Sequence, residues 1–169
     1  MKTITRFKNY LPIAAMILMA AHAIPAAAQN QVPFKGTIQG QDIDKGFTSP
    51  GMFLVETDGM GTGILFGRFT FTLETTINVA NLTDTGIAHF KAANGDTIDL
   101  AYTSIMPAET TPTPEGFVFN IKEVYTITGG TGRFAGVQGS FLLERVADPQ
   151  KFITFGSFHG TITPPGAIK

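Results

Sequence analysis

The chain lacks cysteine and tryptophan, and charged side chains make up only 15% of its 169 residues. Without cysteine it has no disulfide, no thiolate metal site, no thiol nucleophile and no attachment point for a lipoprotein anchor. Beyond the apolar run at residues 11–21, no segment approaches the roughly 18 apolar residues that a membrane helix needs. The fold must therefore be stabilised by its own core.

The first 28 residues have the pattern of a secretory signal peptide. Three basic residues come first, the uncharged run 11–21 follows, and Ala26 and Ala28 are small residues at the positions that a signal peptidase reads. We therefore expect an exported protein, periplasmic or extracellular, that has no membrane attachment after cleavage behind Ala28. An uncleaved N-terminal anchor is the alternative. The remaining residues are net acidic, which argues against a nucleic-acid partner.

The composition after residue 28 favours β-structure. This part is rich in glycine, phenylalanine and threonine and poor in leucine. Phenylalanine and threonine suit the half-buried surface of a sheet, whereas abundant glycine and scarce leucine disfavour long helices. No segment shows a clear period of 3.6 residues, so crossover helices and a parallel sheet are not expected. The sequence therefore predicts an all-β protein.

Alternation of apolar and polar residues predicts eight strands. They span Pro33–Gln39, Met52–Thr57, Gly63–Ile77, Ile87–Ala92, Thr97–Ser104, Phe117–Ile127, Gly139–Ala147 and Lys151–Ile162. The polar stretch Gly40–Gly51 is expected to be a loop. Met106–Glu115 contains three prolines and is expected to be a stiff connection. Asn94-Gly95 predicts a hairpin with a type I′ turn.

Eight antiparallel strands close most simply into a single up-and-down barrel, because closure removes exposed strand edges. A two-sheet β-sandwich is the alternative. We expect one barrel domain at residues 29–163, after a signal peptide at 1–28, and a C-terminal tail at 164–169 that lies outside the fold.

One glycine-rich segment, residues 129–139, separates the sixth and seventh predicted strands. Its five glycines predict a compact, irregular turn with one large apolar anchor. The segment resembles the G-G-T-G-x-F-x-G-x-x-G stretch of the allene oxide cyclase and dirigent families, which are calycin-like barrels of eight strands. The matching residues are Gly129, Gly130, Thr131, Gly132, Phe134, Gly136 and Gly139.

Two further stretches, Gly67-Arg68-Phe69 and residues 92–97, look like small exported bacterial proteins with that barrel. In allene oxide cyclases the implied reaction is the cyclisation of a fatty-acid epoxide, and dirigent proteins steer the coupling of phenoxy radicals. The active-site polar residues of neither family can be placed on this sequence. The resemblance therefore implies a fold and no activity.

One face of the sixth predicted strand is apolar except near its middle. Every second residue of that face reads Phe117, Phe119, Ile121, Glu123, Tyr125 and Ile127. If the face lines the barrel, Glu123 and Tyr125 are the candidate catalytic residues, because a desolvated carboxyl group can act as general acid or base, or can anchor a ligand. The alternatives are a bulge that turns Glu123 outward and a structural ion pair with Arg145 or Arg68.

Three functions agree with this sequence. The first is binding of a small apolar or aromatic molecule inside the barrel, with Phe69, Phe71, Phe119 and Tyr125 as the expected contacts. The second is an isomerase or cyclase that uses Glu123 with Tyr125. The third is a solidly packed structural barrel whose outer phenylalanines form a homo-oligomer surface.

No metal or cofactor is expected. His89 and His159 lie on different predicted strands and lack the spacing of metal ligands. The glycine-rich segment is followed by a strand, whereas a nucleotide-binding loop requires the N-terminus of a helix.

Overall fold

The computed structural model describes residues 31–166. The predicted signal peptide and residues 167–169 lie outside this range. Within it the chain forms nine strands: β1 (Val32–Ser49), β2 (Met52–Gly63), β3 (Gly67–Asn78), β4 (Thr83–Ala92), β5 (Thr97–Ser104), β6 (Glu109–Thr113), β7 (Gly116–Gly130), β8 (Gly139–Asp148) and β9 (Ile153–Ile162). One turn of 3₁₀-helix, Gly132–Phe134, lies between β7 and β8. Nothing helical in this part of the chain is long and apolar enough to cross a membrane.

Eight of these strands close into an antiparallel barrel. Strands β1 to β5 pair in sequence order, β7, β8 and β9 continue the sheet, and β9 pairs with β1. The barrel closes where β5 pairs with β7, from Ile98 opposite Gly130 to Ser104 opposite Glu123. Strand β6 lies outside the barrel and pairs with β7 alone. The prediction of an eight-stranded barrel is confirmed, and the sandwich alternative is not formed.

The loop expected at Gly40–Gly51 was wrong, because β1 continues to Ser49 and pairs with β2 along that stretch. Its register shifts between Asp44 and Gly46 and again before Ser49, which marks β-bulges. A bulge inserts a residue and interrupts the two-residue alternation that predicts a strand. The pattern therefore gave no strand signal here.

The stiff connection expected at Met106–Glu115 was wrong in part, because it contains β6. Pro112 lies in this strand opposite Phe117. Proline cannot donate a ladder hydrogen bond, but an edge strand with a partner on one side tolerates it. The prolines thus mark an edge strand here and not the absence of a strand.

The hairpin at Asn94-Gly95 is confirmed, but the expected type I′ turn was wrong. Gly95 has a φ of 92°, and Asn94 is not among the residues with positive φ. The side chain of Asn94 instead accepts a hydrogen bond from the amide of Asp96 and donates one to its carboxylate. This local bonding favours a turn in which only the glycine is left-handed.

The barrel has two chemically different ends. At the first, which we call the aromatic end, lie the β2–β3, β4–β5 and β7–β8 connections. The interior behind it is filled by a cluster of buried rings from Phe34, Phe66, Phe69, Phe71, Phe90, Phe134, Phe141 and Phe158. Neighbouring ring centroids lie 4.7–6.4 Å apart. We call the opposite end, with the β1–β2, β3–β4, β5–β7 and β8–β9 connections, the polar end.

Glycines on β2 make room for these rings. A Cβ atom on Gly61 would lie 2.3 Å from Cζ of Phe69, and one on Gly59 would lie 2.5 Å from Cζ of Phe71. Such distances are far below van der Waals contact, so only glycine lets the rings approach the wall this closely.

The glycine-rich turn closes the aromatic end. Gly132, Gly136 and Gly139 have φ values of 58°, 73° and 152°, as a compact irregular turn requires. Phe134 is fully buried and its ring centroid lies 4.7 Å from that of Phe66. Phe134 is thus the large apolar side chain that packs this turn against the aromatic cluster. Residues 163–166 return to this turn, where the amide of Gly166 donates to the carbonyl of Arg133.

Candidate functional site

Towards the polar end the interior changes from aromatic to polar. Each of the eight barrel strands contributes at least one inward polar side chain, and we call a set of eight of them, one from each strand, the polar layer. Its members are Asp42, Thr57, Thr75, Asp84, Tyr102, Glu123, Arg145 and Thr154. All are buried except Asp42, which is half-buried. The alternation that places phenylalanines inside therefore also places these polar groups inside.

The centre of the polar layer is an ion pair between Glu123 on β7 and Arg145 on β8. Glu123 is fully buried and Arg145 is 6% exposed. Arg145 donates from Nη2 to Oε1 of Glu123 at 2.7 Å, and its Nε lies 3.0 and 3.1 Å from the two carboxylate oxygens. Nη1 of Arg145 donates to Thr154 at 3.4 Å. Burial lowers the pKa of Arg145, but the charge and hydrogen bonds of Glu123, with the nearby tyrosines, together outweigh burial. The pKa is therefore raised well above its ordinary value, and the guanidinium stays charged.

Asp84, at the start of β4, lies beside this pair with a side chain only 6% exposed. Its Oδ2 is 3.6 Å from Nη2 of Arg145, which is too long for a hydrogen bond. Among residues 31–166 no donor reaches Oδ1. Burial and then the Glu123 carboxylate raise the pKa of Asp84 from 3.8 to about 7, and Arg145 offsets this in part. The carboxyl group of Asp84 thus ionises near neutral pH, and its Oδ1 can accept a hydrogen bond from another molecule.

Tyr125 and Tyr102, which is itself a member of the polar layer, lie between the charged groups of that layer and the phenylalanine cluster. Tyr102 and Tyr125 stack with centroids 4.4 Å apart, and Tyr125 stacks on Phe141 at 5.1 Å. The hydroxyl of Tyr125 donates to Oε2 of Glu123 at 3.3 Å, and the hydroxyls of Tyr102 and Thr75 are 2.5 Å apart. Burial, and then the charge of Glu123, raise the pKa of both phenols. Both therefore remain protonated hydrogen-bond donors.

Asp42 adds a third carboxyl group to the layer from β1. Its Oδ1 accepts a hydrogen bond from Thr57 at 2.7 Å. Burial raises the pKa of Asp42, while the bond from Thr57 and the charge of Arg145 lower it less strongly. The polar layer therefore holds three carboxyl groups and one guanidinium.

Large apolar side chains surround the polar end, and we call them the apolar rim. They are Phe47, Val79, Ile105, Met106, Phe117 and Phe152, all of them exposed. Phe47 is 67% exposed and Phe117 is 37% exposed. Exposed apolar side chains grouped at one end of a domain are a common feature of binding sites.

The four predicted ligand contacts lie in three different places. Phe69 and Phe71 are buried within the filled aromatic cluster. Tyr125 is fully buried beneath Glu123. Phe119 is half-buried next to the apolar rim, where its ring packs against Phe117 at 5.1 Å.

Glu123 points inward and pairs with Arg145, which is one of the arrangements considered for it above. The outward bulge and the pairing with Arg68 do not occur, since Arg68 is exposed on the outer wall. Glu123 and Tyr125 as a catalytic pair stay a prediction. Both side chains are fully buried and bonded to each other, and Glu123 is also bonded to Arg145.

The sequence pattern did not identify Asp84 as a site residue, because the predicted fourth strand began at Ile87, three residues after it. Arg145 carried a signal of the same kind as Glu123, since it interrupts the apolar series Phe141, Leu143 and Ala147 on β8. It was named only as a partner for Glu123.

The two histidines among residues 31–166, His89 and His159, lie on the outer wall. Nδ1 of His89 is 2.6 Å from Oδ1 of Asp99, and both side chains are about half exposed. Within residues 31–166 no three histidine or acidic side chains are grouped as a metal site requires.

Comparison with protein-family models, with curated proteins and with solved structures found no match to the chain. What can be inferred about function therefore comes from the polar layer and the apolar rim.

Proposed function

We propose that the protein binds a small, mainly apolar molecule at the polar end of the barrel. The apolar rim contacts the body of the ligand, and the polar layer bonds its polar group. One observation carries this proposal: at the end that the apolar rim surrounds, no donor from residues 31–166 reaches a buried acceptor, Oδ1 of Asp84. A buried acceptor without a donor is costly, and a ligand that supplies one relieves that cost.

The aromatic cluster is a less suitable place for the ligand. Phe69 stacks on Phe90 at 4.8 Å, and both rings are buried to within a few percent. A ligand there would have to displace these rings, whereas the apolar rim is already exposed. Phe119 is the predicted contact that this proposal retains.

Two sequence expectations are part of the proposal. The predicted signal peptide would deliver the protein to the periplasm or the exterior, where the ligand would be met. The resemblance to the allene oxide cyclase and dirigent families agrees with a ligand held by an eight-stranded barrel. Neither family's chemistry is assigned to this chain, and the proposal is for binding without reaction.

A titration with N-phenyl-1-naphthylamine, a neutral fluorophore that brightens in apolar surroundings, tests the proposal. We expect saturable binding to the parent protein, because the apolar rim offers two or more rings to stack on. The Phe47→Ser/Phe117→Ser variant is expected to bind about tenfold more weakly, since two rim contacts are lost.

Phe155→Ser is the matched control, because Phe155 is 49% exposed but lies on the outer wall of β9. Its affinity is expected to equal that of the parent. No saturable binding by the parent, or an equal loss in the Phe155→Ser control, would overturn the proposal.

Self-association is the second candidate function, favoured by exposed apolar residues on the outer wall. Met60 on β2 and Phe155 on β9 flank Gln39 on β1 in one row across three strands. They are 68% and 49% exposed and line the same shallow groove. Light scattering of the parent and of Met60→Ser/Phe155→Ser tests it, since a homo-oligomer built on this row would dissociate in the variant.

A further inference from the structure

The polar layer also indicates which polar group the ligand carries, provided that the proposed function holds. Each nitrogen of Arg145 already has a partner in the protein: Nε and Nη2 bond Glu123, and Nη1 bonds Thr154. The Tyr125 hydroxyl also donates to Glu123. Two acidic side chains lie beside Arg145, namely Glu123 and Asp84. Only Asp84 has an oxygen, Oδ1, that no donor within residues 31–166 reaches. The layer therefore offers a ligand an acceptor.

The charge balance at the polar end favours a cation. The interior has Asp42, Asp84 and Glu123 against Arg145 alone. The polar-end connections and the outer part of the β1–β2 hairpin add five acids and two bases: Asp44, Glu56, Glu109, Glu115, Asp148, Lys45 and Lys151. Both lysines are already paired with acids: Lys45 with Glu56 at 2.8 Å and Lys151 with Glu115 at 2.5 Å.

The aromatic end differs in this respect. Its connections carry one acid and one base, Asp96 and Arg133, and these two pair at 3.3 Å. Of the two ends, only the one at which Asp84 lies therefore carries an excess of acidic groups. An excess of one sign of charge around a low-dielectric site attracts ligands of the opposite sign.

We propose that the ligand of the polar end carries a protonated amine on an apolar body, and that this amine donates a hydrogen bond to Oδ1 of Asp84. The apolar rim contacts the body, while the ammonium group donates to the oxygen that no donor from residues 31–166 reaches. A hydrogen bond between charged partners is roughly twice as strong as one between neutral groups, so the amine is the preferred donor. Arg145 remains bonded to Glu123 and keeps that carboxylate from competing for the amine.

This arrangement implies a direction of pH dependence. The charged and titratable groups that face Asp84 are Glu123, Arg145, Tyr102 and Tyr125. Because the pKa of Asp84 is raised to about 7, its carboxyl is mostly protonated at pH 5.5 and mostly ionised at pH 8. An ammonium ligand binds the ionised form, so its affinity rises across this range.

Three probes that share one ring system test the inference: naphthylmethylamine, naphthylmethanol and naphthoate. Their dissociation constants for the parent protein are measured by calorimetry at pH 5.5 and pH 8. We expect the amine to bind about tenfold more tightly than the other two at pH 8, and to lose most of this preference at pH 5.5.

Asp84→Asn is expected to weaken amine binding about tenfold at pH 8 and to change naphthylmethanol binding less than threefold. The matched control is Asp58→Asn, an exposed position on the outer wall of β2, which should leave all three affinities unchanged. The pH series on the parent needs no variant.

The two proposals fail in different ways. If none of the three probes binds the parent, the proposed function is wrong. If naphthylmethanol or naphthoate binds as tightly as the amine at pH 8, or if Asp84→Asn keeps the amine preference, the site exists but the amine assignment is wrong.

Discussion

Removing the charge of Asp84 should stabilise the protein, and the gain should grow with pH. The pKa of its carboxyl is raised from 3.8 to about 7, chiefly by burial and by Glu123. Below pH 3.8 the carboxyl is protonated in both the folded and the unfolded state, so it causes no penalty. As pH rises from 4 to 7 the unfolded chain ionises while the folded protein holds the proton, and folding becomes less favourable.

The expected penalty follows from this shift. It amounts to about 1 kcal/mol at pH 4.5, about 3 kcal/mol at pH 6 and about 4 kcal/mol at pH 8, where it reaches its limit. Asp84→Asn removes the ionisation and keeps the shape of the side chain. The variant should therefore gain about 3 kcal/mol over the parent between pH 4.5 and pH 8.

Urea unfolding at pH 4.5, 6 and 8 measures this difference directly. The change of the difference with pH is the informative quantity, because any constant effect of the amide cancels. Asp58→Asn is the control, and its difference from the parent should stay within about 0.5 kcal/mol at every pH. A difference for Asp84→Asn that is flat, or that shrinks as pH rises, would refute the reasoning about Asp84.

Three further outcomes are expected in unfolding experiments. Glu123→Gln should destabilise by about 2–4 kcal/mol, because it leaves Arg145 buried without its main partner, and a loss below about 0.5 kcal/mol would contradict the ion pair. Gly132→Val should lower the free energy of unfolding by at least about 1 kcal/mol more than Gly46→Val. Both glycines have positive φ, but of the two only Gly132 has a neighbour that a Cβ would meet, Oδ1 of Asp96 at 1.8 Å. Phe90→Ala should destabilise by about 3–5 kcal/mol, and a smaller effect would show that the aromatic cluster is loosely packed.

The barrel could be predicted because its determinants are local. Alternation along each strand shows which residues face inward, and glycine with asparagine marks turns whatever the rest of the chain does. The two errors in strand placement arose where a neighbour changes the local rule. The bulges in β1 break the alternation near Gly46, and the position of β6 at the edge makes Pro112 acceptable.

The site was predicted less completely, because it depends on register between distant strands. The sequence shows that Glu123 interrupts an apolar face, but only pairing of β7 with β8 brings Arg145 to its carboxylate. Asp84 comes from β4, 39 residues away from Glu123 in the chain. Likewise, alternation places Phe69 and Phe71 inside the barrel, but it does not show whether the rings fill the space or line it.

The most direct test of the proposed site is a backbone amide NMR titration with naphthylmethylamine. The shifts should be largest in the polar-end connections, at Val79–Leu82 and Ile105–Ala108, and at Asp84. The aromatic-end turn, residues 131–138, should change little, because the filled phenylalanine cluster separates it from the site. Shifts concentrated at that turn, or along the outer wall near Met60 and Phe155, would contradict a ligand site at the polar end.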